Sequence, residues 1–254
     1  MILVISPSKT MDFPAQHYPN HTLPEMVEQS RRLIEGLKKL TPAQVGELMG
    51  ISEKLAQLNW QRYQDFSVPF SPDNARQAIF AFKGDVYSGV AADTLNAKDI
   101  AFAQDHVRIL SGLYGVLKPL DLIQPYRLEM GTKLRAGRSQ NLYEFWDTLV
   151  TEAINRDLQH EKQPVLVNLA SDEYFRVIRP ETLNGPVLKI SFKEKRNGKY
   201  KVIGIHAKRA RGLMVNYVVS NHLEKIENLQ DFTSEGYVFN GALSSAAELV
   251  FCRG

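Results

Sequence analysis

Val165-Leu166-Val167-Asn168-Leu169-Ala170-Ser171 is a short apolar run that ends in serine and opens a polar loop, Asp172-Glu173-Tyr174-Phe175. Two other stretches share the pattern. Ile2-Leu3-Val4-Ile5-Ser6 leads into Pro7-Ser8-Lys9-Thr10, and Val107-Arg108-Ile109-Leu110-Ser111 leads into Gly112-Leu113-Tyr114-Gly115. Apolar runs of this length, bounded by Ser, Gly and Pro, read as buried strands. If the three are neighbours in one sheet, their loops converge at its carboxyl edge, where α/β proteins usually place ligand sites. Lys9, Tyr114, Asp172, Glu173 and Lys208 then supply candidate acids, bases and phosphate donors. The plainer reading stays open: Ser caps helices, Gly makes turns, and buried Tyr and Asp satisfy backbone groups. No spacing matches a catalytic triad, a Walker loop or a metal site.

Helical signals lie between these runs. Pro14, Pro19 and Pro24 mark an irregular crossing, and a helix is expected from there to about Leu40, with Leu33, Ile34 and Leu37 on one face. Thr41-Pro42 starts a second helix. Residues 42–65 read as two short helices joined at Met49-Gly50-Ile51-Ser52. Ser71-Pro72-Asp73 is expected to open another, carrying Ala75, Ala78 and Ile79. Phe145, Leu149 and Ile154 keep helical spacing within a helix from about Leu142 to His160. A further helix fits Arg211 to Asn221. The chain beyond Phe232 reads as irregular or extended. No repeat, low-complexity tract or linker interrupts the chain, so one domain is expected over residues 1–254.

Val187 to Arg196 and Lys199 to His206 read as two strands joined by Asn197-Gly198, the strongest short-range signal for a hairpin, since both turn residues must accept positive φ. A two-residue turn sets Arg196 opposite Lys199, Glu194 opposite Lys201, Phe192 opposite Ile203 and Ile190 opposite Ile205. Period two then separates an apolar face from a basic one made of Lys189, Lys193, Lys195, Tyr200 and His206. Residues 189–211 hold nine Lys and Arg against one acid, Glu194, a net +8 in a chain of net +3. Such a concentration of charge attracts polyanions. It also suits a sheet edge protected from pairing, although Lys208, Arg209 and Arg211 carry the charge beyond the strand.

Composition narrows the classes. The 254 residues are 44% hydrophobic and 23% charged, as in ordinary globular proteins. No apolar run approaches a membrane span, and the apolar start lacks a basic lead and is broken by Pro7 and Lys9, unlike a signal peptide. The single cysteine, Cys252, precludes an internal disulfide and fits a cytoplasmic address. A buried or frayed thiol suits it better than a redox role. The six histidines are scattered, so no metal site or cofactor is expected, and direct iron sequestration is the weakest reading.

Val45 to Ala56 resembles the helix-hairpin-helix motif. Val45 and Leu48 supply apolar positions of the first helix, Gly50 the turn, and Ala56 a close contact. Ser52 stands where a second glycine is preferred, and Asn59 where an apolar residue is usual. Ser52 is a candidate cap for the second helix, whose first N–H groups would meet a phosphate beside Lys54. An ordinary helical hairpin is the alternative.

Five ordered blocks resemble the YaaA family of bacterial peroxide-stress-resistance proteins: Ile5 to Thr10, Phe82-Lys83-Gly84-Asp85-Val86-Tyr87, Leu110 to Gly115 within the longer Arg108 to Gly131 segment, Asn168 to Phe175, and Lys208 to Met214. The resemblance spans nearly the whole chain. It implies a cytosolic protein that limits hydrogen peroxide damage and is linked to control of free iron. It also implies an α/β fold of mixed α+β character, with a central mixed sheet, surrounding helices, a positively charged cleft and a helix-hairpin-helix element, that binds double-stranded DNA.

Two functions follow as expectations. The first is a DNA-binding protein of the peroxide response, a monomer with no membrane partner, contacting DNA through Gly50, Ser52, Lys54, Lys189, Lys193, Lys195, Lys208, Arg209 and Arg211. The alternative is an enzyme acting on a nucleobase or nucleotide by glycosidic-bond chemistry. Its pocket would form from the loops at Ser6–Thr10, Ser111–Gly115 and Ser171–Phe175, with Lys9, Asp172, Glu173 and Lys208 as candidate catalytic groups.

Overall fold

In the computed structural model, which describes residues 1–13 and 18–254, the three serine-ended runs lie side by side. The expected irregular passage at Pro14 falls outside the described residues. The main sheet is built from β1 (Ile2–Ile5), β2 (Val107–Ser111), β3 (Gly115–Leu117), β4 (Leu166–Leu169), β5 (Val187–Arg196), β6 (Lys199–Lys201), β7 (Val238–Phe239) and β8 (Glu248–Arg253). Its order is β7-β8-β5-β4-β1-β2-β3, with β6 pairing onto the far end of β5. β8, β5, β4, β1 and β2 run parallel, while β3 and β7 close the two edges antiparallel. This is the expected mixed α/β sheet. Every residue of β1, β2 and β4 is buried. A strand covered on both faces has no solvent side to encode, and so reads as an unbroken apolar run.

The flanking helices are α1 (Val27–Leu37), α2 (Pro42–Met49), α3 (Glu53–Asp65), α4 (Asp85–Val90), α5 (Ala97–His106), α6 (Leu142–Trp146), α7 (Leu149–Leu158) and α8 (Gly204–Ser220). α1 buries Leu33, Ile34 and Leu37, as its spacing requires. Thr41 caps α2 reciprocally with Gln44, and Pro42 takes the first helical position.

Three expected elements differ. The helix anticipated over 142–160 breaks at Asp147, whose φ is 42°, into α6 and α7. Arg179 hydrogen-bonds both the carboxylate and the carbonyl of Asp147 and so holds the kink. The helix anticipated from Ser71 is a turn followed by Arg76–Gln77, which pairs with Leu122–Ile123, and by one helical turn at Ala78–Ala81. There the backbone pairing partner, and carbonyls of Tyr18 and Asn20 that accept from the Gln77 side chain, outweigh the local helix signal.

The second hairpin strand, expected to His206, stops at Lys201. The chain turns into a helix at Gly204, so β6 pairs only with Glu194–Arg196. Arg196↔Lys199 and Glu194↔Lys201 form as anticipated. Phe192 and Ile190 lie in register with Phe251 and Leu249 of β8 on the other edge of β5, and Ile205 lies 61% exposed at the start of α8.

α8 packs against α4 with backbone touching backbone. A Cβ at Gly212 would fall 1.8 Å from the carbonyl oxygen of Val86, so only glycine fits. This contact fixes α8 beside the Phe82–Val90 segment, whose Lys83 and Phe82 pair with Thr10 and Met11 beyond β1.

Candidate functional site at the carboxyl edge of the sheet

β4, β1 and β2 are adjacent and parallel, so the loops after Leu169, Ile5 and Ser111 leave from one edge. Hydrogen bonds then join them. The Ser6 hydroxyl accepts from the Ser171 N–H at 2.9 Å and lies 3.3 Å from the Ser171 hydroxyl. Tyr87 donates to the Ser6 carbonyl at 3.2 Å, bringing α4 to the same place. The Ser111 hydroxyl accepts from the Tyr114 N–H and pairs with the Tyr126 hydroxyl at 2.7 Å.

Above this floor lies a small cleft lined by Pro7, Lys9, Tyr126, Arg127, Glu129 and Tyr174. The Lys9 ammonium is 2.5 Å from Glu129 Oε2, and Arg127 Nη2 is 3.0 Å from Glu129 Oε1. One carboxylate therefore holds two cations from separate loops. Among the described residues, Arg127 Nε is a buried donor without an acceptor. Glu173 accepts from the Gly131 N–H at 3.0 Å, tying the β4 loop to the same segment. Burial pushes the hydroxyls of Tyr87, Tyr114, Tyr126 and Tyr174 well above the ordinary phenol range, so all four stay protonated donors.

The structure brings some expected residues together and separates others. Lys9, Asp172 and Glu173 belong to the converging loops, and Arg211 reaches them from α8. Burial lowers the pKa of Arg211, opposed by the charge of Asp172. Tyr114 is fully buried and its hydroxyl accepts from the Gln124 N–H, which is a structural role. Lys208 is exposed and, among the described residues, makes no hydrogen bond or ion pair with this cluster. Arg209 is paired with Glu235 at 2.7 Å and donates to Ser88. Arg127, Glu129 and Tyr126 were not anticipated as site residues, and Tyr174 was anticipated only as part of the Ser171–Phe175 loop. The first three occupy an irregular segment without periodicity, and only their place in the Arg108 to Gly131 block marked them.

The basic hairpin is a second feature, at the far end of β5. Leu188, Ile190, Phe192 and Glu194 are buried, while Lys189 and Lys195 are exposed and Lys193 lies half-buried between them. Glu194 points inward. It accepts from the Tyr237 hydroxyl and from Arg253 Nη2 and Nε, the last two at 2.9 Å and 3.2 Å. Burial alone would raise its pKa, but these hydrogen bonds and the Arg253 charge hold it below the usual carboxylate range. The single acid of the stretch is thus withdrawn from the lysine face. Among the described residues, Lys189, Lys193, Lys195 and Lys208 form no ion pair.

α2 and α3 form a tight helical hairpin turning at Gly50, which has φ 60°. Gly46 lies against Ala56: a Cβ on Gly46 would be 3.3 Å from that of Ala56. Ser52 precedes α3 in extended conformation, but its side chain makes no capping bond, contrary to expectation. Asn59 is buried and satisfied by Leu55 and Arg62. Lys54 is exposed.

Comparison with known proteins agrees with the blocks that form the site. Residues 1–243 match the family described as Peroxide stress protein YaaA. A UPF0246 protein of Acaryochloris marina (strain MBIC 11017) is 55% identical over 253 residues, covering 100% of both chains. A UPF0246 protein of Cellvibrio japonicus (strain Ueda107) is 51% identical over 254 residues, covering 100% of this chain and 98% of the relative. With the match running from β1 through the carboxyl-edge loops to the end of α8 and beyond, this chain belongs to the YaaA family of peroxide stress proteins.

Proposed function

We propose that this peroxide stress protein acts in the cytoplasm, as a monomer, by binding double-stranded DNA through the lysine face of the β5–β6 hairpin and the adjoining start of α8. The observation that carries the reading is the burial of Glu194 against Tyr237 and Arg253, which leaves Lys193 and Lys195 without an acid of the hairpin beside them, while Glu248 of β8 stands in register with Lys189 and accepts from Ser191. A strand presents alternate lysines roughly 7 Å apart, close to the spacing of phosphates along one DNA strand. Such contacts position a protein on the backbone without reading bases. The turn at Gly50 and the first N–H groups of α3 hold a further phosphate, with Lys54 beside it, in the manner of a helix-hairpin-helix. Arg209 contributes less than its neighbours, because Glu235 already neutralises it.

The test is a paired charge reversal, Lys193→Glu with Lys195→Glu, assayed by gel shift on a random duplex and by survival of peroxide. Loss of at least about tenfold in affinity, together with loss of protection, supports the reading. Unchanged affinity defeats it.

A second reading rests on the convergence of the three serine-ended loops. A pocket there, with Glu173 and Lys9 at its rim, suits an enzyme acting on a nucleobase or nucleotide. Single Lys9→Met and Glu173→Gln variants that lose peroxide protection while keeping DNA affinity would support it. Full protection in both argues against it.

A further inference from the structure

The cleft at the carboxyl edge holds more positive charge than its own acid satisfies. Lys9 and Arg127 share Glu129, and Arg127 uses one Nη on it at 3.0 Å while its Nε remains, among the described residues, a buried donor without an acceptor. Arg62 of α3 adds a third cation nearby. Its pKa is lowered by burial and, in smaller part, by the charge of Arg127, against the opposing pull of Tyr63. Among the described residues, its side chain hydrogen-bonds neutral Asn59 alone. Tyr63 of the same helix hydrogen-bonds the Arg127 carbonyl, so α3 is fastened to the segment that carries the cluster. A buried guanidinium normally spends its donors on two acceptor oxygens in a planar fork, and an orphaned buried donor calls for a missing acceptor. Tyr174, kept protonated by burial, offers a further hydroxyl to the same cleft.

We infer that Lys9 and Arg127 form a phosphate-binding site and that Glu129 is its internal stand-in, displaced when a phosphate group arrives. A phosphate oxyanion can engage the Nε–Nη edge of Arg127 in two parallel hydrogen bonds and meet the Lys9 ammonium on another oxygen. The Glu129 carboxylate provides fewer oxygens and less charge for the same cations. The site lies apart from the lysine face of the hairpin and does not depend on DNA binding there. Its phosphate can come from a free nucleotide or from a DNA backbone, and the two differ in whether the hairpin is also required.

The experiment is isothermal titration of the full chain with inorganic phosphate and with deoxyadenosine monophosphate, at constant ionic strength set by chloride. Saturable one-to-one binding is expected for the native protein. Glu129→Gln should tighten it by at least about tenfold, because the competing negative charge is gone, and Arg127→Gln should weaken it by at least as much. If Arg127→Gln fails to fold by circular dichroism, Lys9→Met takes its place, since Lys9 is largely exposed. Lys193→Glu with Lys195→Glu should leave both titrations unchanged, which separates failure of this site from failure of the hairpin reading. If monophosphate binds no better than phosphate, while a short duplex is weakened by Arg127→Gln and tightened by Glu129→Gln, the phosphate is that of DNA. Absence of saturable binding of all three probes to native and Glu129→Gln proteins overturns the inference, as does a Glu129→Gln affinity equal to the native one.

Discussion

Replacing Glu194 by glutamine tests how the hairpin holds its own acid away from its lysine face. The side chain is 11% exposed and accepts from the Tyr237 hydroxyl and from Arg253 at two nitrogens. Glutamine keeps the shape but removes the charge and offers one acceptor oxygen. A hydrogen bond to a charged group contributes about 1.5–3 kcal/mol net, and breaking a buried ion pair costs about 3–5 kcal/mol. Arg253 retains a second partner, since its Nη1 donates to the Glu235 carbonyl at 3.3 Å, which places the expected loss nearer 2–3 kcal/mol. For a chain of this size that lowers the Tm by roughly 4–12 °C. The pH dependence has a definite sign. The folded pKa of Glu194 lies below its unfolded value, so its contribution is present above the ordinary carboxylate range and is lost as pH falls through the folded pKa. The gap in Tm between native protein and variant should therefore be full at neutral pH and shrink in acid. Differential scanning calorimetry at pH 7 and below pH 4 reads both quantities. A variant within 1 °C of native at pH 7, or a gap that widens in acid, refutes the role assigned to this carboxylate.

Other outcomes follow from the same geometry. Gly212→Ala drives a methyl group into the Val86 carbonyl and should cost about 1–3 kcal/mol or more, seen as a lower urea midpoint; an unchanged midpoint means that α4 and α8 do not pack backbone to backbone. Cys252 is buried, and burial pushes its thiol above the ordinary range, so iodoacetamide at pH 7 should label it only on unfolding. Rapid labelling of the folded protein contradicts that placement.

The parallel sheet could be read because strands buried on both faces leave a plain signature: unbroken apolar runs, each ended by serine. The hairpin turn was equally plain, since Asn197 and Gly198 adopt φ of 50° and 73°. What local sequence could not carry was competition between distant partners. The pairing of Arg76–Gln77 with Leu122–Ile123 displaced a helix, and the start of α8 at Gly204 cut short the strand expected to His206. Asp147 broke a helix whose apolar spacing continued straight across it. Glu129 and Arg127 escaped notice for a related reason. They sit in an irregular stretch, and their chemistry arises from Lys9, more than a hundred residues away in the chain, meeting them at the sheet edge.

DNA affinity as a function of salt tests the central claim most directly. Four lysines, at Lys189, Lys193, Lys195 and Lys208, give a slope of log affinity against log salt of about −3.6, a roughly 150-fold loss between about 50 and 200 mM. Reversing Lys193 and Lys195 should flatten that slope to about −2. Binding that ignores salt, or a slope that survives the double reversal intact, would contradict the account.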